Sequence, residues 1–235
     1  MCASAVELAC SAGRGIGVLN ESSLHREIKS WYAQPGDIRE VGVEGYVVDL
    51  VRGDLLVEVQ TGSFASIRRK LRDLLADHTV RVVYPLPVTR WIVRVAPDTG
   101  ERLSRRRSPK RGRAIEVFNE LVSIPQMVND PGFTLDILLT EEEEVRCADG
   151  KGSWRRGRVS IVDRRLLRVV DVVHCQEAAS LARLLPERLE RPFTSRLLAA
   201  EAAIPLRLAR RATYCLRHMG CLAVSGRRGR EFLYE

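Results

Sequence analysis

Residues 46–60, YVVDLVRGDLLVEVQ, decide how this chain is read. Two runs of β-branched and aliphatic residues flank Gly53-Asp54, a two-residue turn of the Gly-X form, and so predict an antiparallel hairpin. With Gly53 and Asp54 as the loop, Arg52 faces Leu55, Val51 faces Leu56, Leu50 faces Val57 and Asp49 faces Glu58. Alternation puts Gln60 on the same sheet face as Glu58, opposite Val47. Two directly opposed carboxylates, with Cβ atoms roughly 4.5–5.5 Å apart, repel each other. Both sit inside apolar runs, where unpaired charge is costly. A divalent cation between them removes the conflict, and Mg²⁺ is commonly held by one or two carboxylates plus water. The competing reading turns both acids to solvent or pairs them with arginines.

Working outward, SSLHREIKSWYA (22–33) predicts a serine-capped helix with Leu24, Ile28 and Trp31 on one face. QPGD ends it, and REVGV, a Glu44-Gly45 turn and YVVDLVR follow. Beyond the hairpin, FASIRRKLRDLLAD spaces Phe64, Ile67, Leu71, Leu74 and Leu75 as a helix. TVRVVYPLPV and RWIVRV read as two further strands.

Helix, three-stranded meander, helix and strand, with Asp on the second strand and Glu-x-Gln on the third, resembles the PD-(D/E)XK nuclease core over residues 22–95. The resemblance implies a metal-dependent nuclease that hydrolyses phosphodiester bonds with Mg²⁺ or Mn²⁺. Asp49 matches the metal-binding Asp, Glu58 the Glu of the (D/E)XK element, and Glu27 an acid that many members add. The Val59 carbonyl is a further implied ligand, and Gln60 occupies the lysine position. Gln60 donates and accepts hydrogen bonds but carries no charge. Some members move the lysine to the following helix, and here Lys70 borders the face of that helix turned to the site. The implied catalytic set is therefore Asp49, Glu58, Gln60, Glu27 and Lys70.

The charge is unevenly placed. The 235 residues carry a formal +8. Residues 101–113, ERLSRRRSPKRGR, hold seven basic side chains against one acidic, and residues 192–235 hold eight against three; residues 21–100 balance at eleven each. Concentrated positive charge marks a polyanion binder, because phosphate contacts release counterions. Proline and charge density make 101–113 a basic loop, with Arg105, Arg106, Arg107, Lys110 and Arg111 as sequence-independent backbone contacts.

Residues 114–128 predict a helix, FTLDILL a strand, and Glu141–Glu144 a solvated element end. RVSIVDRRLLRVVDVV is ambiguous between strand and helix. The final segment is clearer: QEAASLARLLP and the Thr194-capped SRLLAAE are short helices, LRLARRATYCLRHM is a longer one, and LAVS and REFLYE flank a turn at Gly226–Gly229. This order resembles a winged helix-turn-helix over residues 176–235. It implies DNA contacts from Arg207, Arg210, Arg211 and Arg217 on the recognition helix and from Arg227, Arg228 and Arg230 on the wing.

Other chemistries lack their motifs. No CxxC pair or zinc spacing occurs among the six cysteines, and no phosphate loop, GxSxG or HExxH is present. The four histidines are scattered and read as core or surface residues. No apolar run reaches the roughly 18 residues of a membrane span, and the start is a poor secretory signal.

The expectation is an α/β (α+β) protein: a flexible tail (1–20), a restriction-endonuclease-like mixed sheet core flanked by helices (21–100), a basic loop (101–113), a connecting α+β region (114–175) and a winged helix (176–235). It is expected in the cytoplasm, acting on DNA ahead of RNA, away from membranes, with a homodimer left open. The alternatives are a non-catalytic DNA-binding regulator with a degenerate nuclease fold, or an RNA nuclease.

Overall fold

A computed structural model describes residues 22–154 and 157–235; the expected tail lies outside them. The fold is mixed α/β, a large mixed sheet flanked by helices. Helix α1 (Ser23–Tyr32) starts at Ser22, whose side chain accepts from the His25 N–H, satisfying an orphan donor of the first turn. Strands β1 (Ile38–Val43), β2 (Tyr46–Arg52) and β3 (Leu55–Val59) form the expected antiparallel meander. Its second hairpin has the register read from the turn: Arg52 opposite Leu55, Val51 opposite Leu56 and Leu50 opposite Val57. Helix α2 (Phe64–Leu74) returns the chain, so that β4 (Thr79–Val95) runs parallel to β3.

The two strands expected over 79–95 are one continuous strand. Its ladder with β3 stops at Val83, and that with β5 begins at Trp91. Pro85 and Pro87 fall in this gap, on an edge where a missing N–H costs no ladder bond. The basic segment is not a loop throughout: Arg102–Arg107 forms an exposed strand, β5, antiparallel to the second half of β4. The β4 backbone, bare beyond the end of β3, offers the ladder that overrides like-charge repulsion.

On its other edge β4 pairs in parallel with β6 (Phe133–Cys147), which pairs antiparallel with β7 (Ser160–Cys175). The acidic run is therefore the middle of β6, not a solvated end. Glu142 and Glu144 are each 1% exposed. Arg146 Nη2 lies 2.6 Å from Glu144, Arg90 Nη1 3.3 Å and Arg164 Nε 3.6 Å. Outward, Glu143 meets Arg105 and Glu141 meets Arg168. Strand alternation sorts four consecutive acids into two arginine-paired sets. The helix expected over 114–128 is broken into a 3₁₀ turn (Ala114–Val117), α3 (Phe118–Leu121) and a second 3₁₀ turn (Met127–Asn129), because Pro125 disfavours helix at the residue before it. Trp31, expected inward, is 49% exposed; Leu24 and Ile28 are buried as expected.

The C-terminal elements are α4 (Ala178–Ala182), α5 (Ser195–Glu201), α6 (Leu206–His218) and the hairpin β8 (Val224–Arg228) with β9 (Glu231–Tyr234). Thr194 caps α5 as expected, accepting from the Leu197 N–H. Phe193 forms an isolated antiparallel bridge with Tyr234 of β9. These elements are not tethered apart from the sheet. Leu181, Leu198, Ala209 and Leu216 belong to the same hydrophobic cluster as Leu71, Phe118 and Leu135.

Candidate functional site

Asp49 and Glu58 lie beside the β2–β3 ladder, one step beyond the Leu50–Val57 pair. They are compensated from different helices. Asp49 Oδ1 is 3.0 Å from His25 Nε2 and 3.8 Å from Lys29 Nζ, both on α1, and Asp49 Oδ2 accepts from the Val59 N–H at 2.8 Å. Burial works to raise the Asp49 carboxyl, but His25, the Val59 amide and Lys29 together hold it below the usual carboxylate range.

Glu58 Oε2 is 2.5 Å from Lys70 Nζ, which also donates to the Val47 carbonyl at 2.6 Å. Lys70 reaches inward because α2 buries Phe64, Leu71 and Leu74 against the sheet, and residue 70 falls beside that stripe. Burial pushes the Glu58 carboxyl up to about 7; Lys70 opposes the rise and Asp49 adds to it. Asp49 thus lies close enough to Glu58 to oppose its ionisation.

The other expected site residues are placed elsewhere. The Gln60 amide donates to the Ser63 carbonyl and to Ser66 Oγ at 2.7 and 2.8 Å, so it ties down the entry to α2. Glu27 Oε2 accepts from the Leu166 N–H of β7 at 2.6 Å, docking α1 on the sheet. Among the described residues no group of three or more His, Cys, Asp and Glu side chains forms a metal-holding arrangement. What fits a hard cation is a smaller donor set. Asp49, Glu58 and the Val59 carbonyl are all oxygen donors, and Glu58 Oε1 has no hydrogen-bond partner among the described residues. Two carboxylates, a carbonyl and water are a donor set of the kind Mg²⁺ takes.

Sequence reasoning passed over His25 as a scattered histidine. The signal was the spacing of His25, Lys29 and Tyr32 at i, i+4 and i+7, one face of α1. His25 and Lys29 meet Asp49, and the Tyr32 hydroxyl donates to the buried Asp136, whose other oxygen is 2.7 Å from His174 Nδ1.

The basic residues divide as well. On α6, Arg207, Arg210 and Arg217 are exposed, with Tyr214, 45% exposed, on the same stripe. Arg211 instead turns to α3, donating to the Asn119 carbonyl and Oδ1. A groove of about 370 Å³ runs between Val122 and this face of α6. Arg227, Arg228 and Arg230 are exposed at the β8–β9 turn, and the Arg227 guanidinium lies over the Phe232 ring.

A family model described as "Domain of unknown function (DUF8091)" matches residues 22–176, and the chain belongs to that family. The matched span begins at the cap of α1 and ends just past β7, so it coincides with the helix-flanked sheet. A protein of Treponema pallidum (strain Nichols) carrying the name "Uncharacterized protein" is 32% identical over 222 residues, which is 94% of this chain and 87% of the relative. No solved structure matches the chain.

Proposed function

We propose that this member of the DUF8091 family is a metal-dependent nuclease of the PD-(D/E)XK type that cleaves DNA. The observation that carries the reading is Lys70, whose Nζ stands 2.5 Å from Glu58 Oε2. It supplies from α2 the cation that Gln60, just past the end of β3, does not supply. Asp49, Glu58 and the Val59 carbonyl would hold Mg²⁺ or Mn²⁺, which when bound polarises the phosphate and stabilises charge on the leaving oxygen. Lys70 orients the attacking water and offsets negative charge as it develops. His25 and the Val59 amide fix the Asp49 carboxylate in one rotamer. The stripe on α6 and the arginines of the β8–β9 turn hold the duplex.

A second reading, a DNA-binding regulator without catalysis, is favoured by the same ion pair, since a lysine that offsets the Glu58 charge could take the place of the metal. Cleavage of plasmid and oligonucleotide DNA with Mg²⁺ or Mn²⁺, comparing wild type with Asp49→Ala and Glu58→Ala, separates the two. Cutting that both substitutions abolish is expected. Tight binding that leaves every DNA and RNA substrate intact in both metals would select the second.

A further inference from the structure

The basic segment 102–113 commits its charges unequally. Arg105 is held by the fold: its Nε bonds Glu143 Oε1 at 2.6 Å, and its guanidinium covers the Trp91 ring at 3.9 Å. Lys110 pairs with Glu116 at 2.8 Å, and Arg113 donates to the Ala202 carbonyl at 2.6 Å. Arg107 and Arg111 converge instead. Arg107 Nη2 is 3.0 Å and Arg111 Nη1 is 3.1 Å from one atom, Thr89 Oγ1. Sharing that oxygen, the two nitrogens stand no farther apart than the sum of the two distances, about 6 Å.

Thr89 is 4% exposed and neutral. Its hydroxyl can accept two hydrogen bonds, but it cannot offset two cations. The neighbouring acid, Glu141, is already bonded to Arg168 at 3.1 Å. Three guanidinium groups therefore surround one carboxylate and one hydroxyl. This arrangement lacks an anion, and guanidinium forks match phosphate oxygens in geometry and charge.

We propose that Arg107 and Arg111, with Thr89 as the floor between them, clamp a single phosphate of the bound nucleic acid. This rests on the nuclease reading and specifies which part of the basic segment does the holding. Glu58 is paired with Val82, and Thr89 lies seven positions farther along β4. At about 3.3 Å per residue that separation is about 23 Å, the length of about seven backbone steps of roughly 3.4 Å. The clamped phosphate is thus remote from the bond being cut, so the clamp acts on binding and not on the chemical step.

The test measures binding of a 24-base-pair duplex by fluorescence anisotropy over a salt series, with cleavage kinetics, for wild type, Arg107→Ala, Arg111→Ala and the double variant. Two arginines on one phosphate predict that each single variant weakens binding about tenfold and the double variant little more. The salt slope should fall by about 0.9, the share of one phosphate, while KM rises and kcat stays. Lysine at both positions keeps the charge without the fork and should bind between wild type and the alanine variants, confirming that the variants are folded. Additive single losses, or a double variant with wild-type affinity, would overturn the clamp while wild-type cleavage keeps the nuclease reading. If wild type neither binds nor cuts the duplex, that reading fails alone provided pyrophosphate raises the melting temperature of wild type but not of the double variant. No such shift overturns both.

Discussion

Lys70 Nζ and Glu58 Oε2 stand 2.5 Å apart across the space between α2 and β3, with both side chains nearly closed off from solvent. A lysine in such a place does two jobs. It keeps a buried carboxylate ionisable near neutrality and, on the nuclease reading proposed above, it holds a positive charge where a phosphate would arrive.

Lys70→Met removes both. Cleavage should fall at least 100-fold, while anisotropy with duplex DNA stays within a factor of about two. Thermal melting should show a loss of about 3 kcal/mol at pH 8, the low end of the cost of leaving a buried charge unpaired. The loss should shrink at pH 6, where Glu58 escapes it by taking up a proton.

The Glu58 carboxyl is raised to about 7 from the ordinary glutamate value of about 4.5. The native state therefore binds this proton more tightly than the unfolded chain does, and the resulting stability is present below about 4.5 and lost as pH rises through about 7. Glu58→Gln is neutral at every pH. Its melting temperature should accordingly gain on that of wild type between pH 5 and pH 8. A constant difference would show that burial does not penalise the Glu58 charge. Since a carboxylate must be ionised to bind a cation, wild-type cleavage should rise over the same interval.

Asp49 is shifted the other way. Its lowered pKa contributes stability that is present above the unfolded value of 3.8 and lost as pH falls through the folded one. His25→Ala deletes the first of the groups that lower it. The variant should show a smaller drop in stability than wild type when chemical denaturation is compared at pH 5 and pH 2.5. Cleavage at pH 7.5 should fall about tenfold, because Asp49 loses the partner that orients it. Unchanged cleavage would mean that the Val59 amide suffices.

Arginines of α6 should separate by role. Arg207→Ala and Arg210→Ala remove exposed charge, so each should lower the salt slope of duplex binding by about 0.9 without moving the melting temperature. Arg211→Ala breaks bonds to Asn119 and should cost about 1–2 kcal/mol of stability. If Arg211→Ala weakens binding as much as the other two, Asn119 is not its working partner.

What could be read beforehand was local. Gly53-Asp54 sets the hairpin register because a two-residue loop leaves no slack, and Thr194 marks the start of α5 because its hydroxyl meets an orphan N–H. The pairing of His25 with Asp49 could not be read, since it depends on how α1 is rotated over the sheet. The β5 strand was hidden by its own charge: the unpaired edge of β4 that recruits it lies in another part of the chain. Glu142 and Glu144 were misread for the same reason, their arginines arriving from β4 and β7 as well as from β6.

The cluster that joins Leu198 and Leu216 to Phe118 and Leu135 has a geometric consequence. With α6 bedded in the same core as the strands, the interval between its exposed arginine stripe and the Asp49–Glu58 pair is a constant of the fold. On the nuclease reading proposed above, such a molecule would work as a ruler. Where α6 lands would then set the incision at a fixed offset, whatever bases occupy the position that is cut.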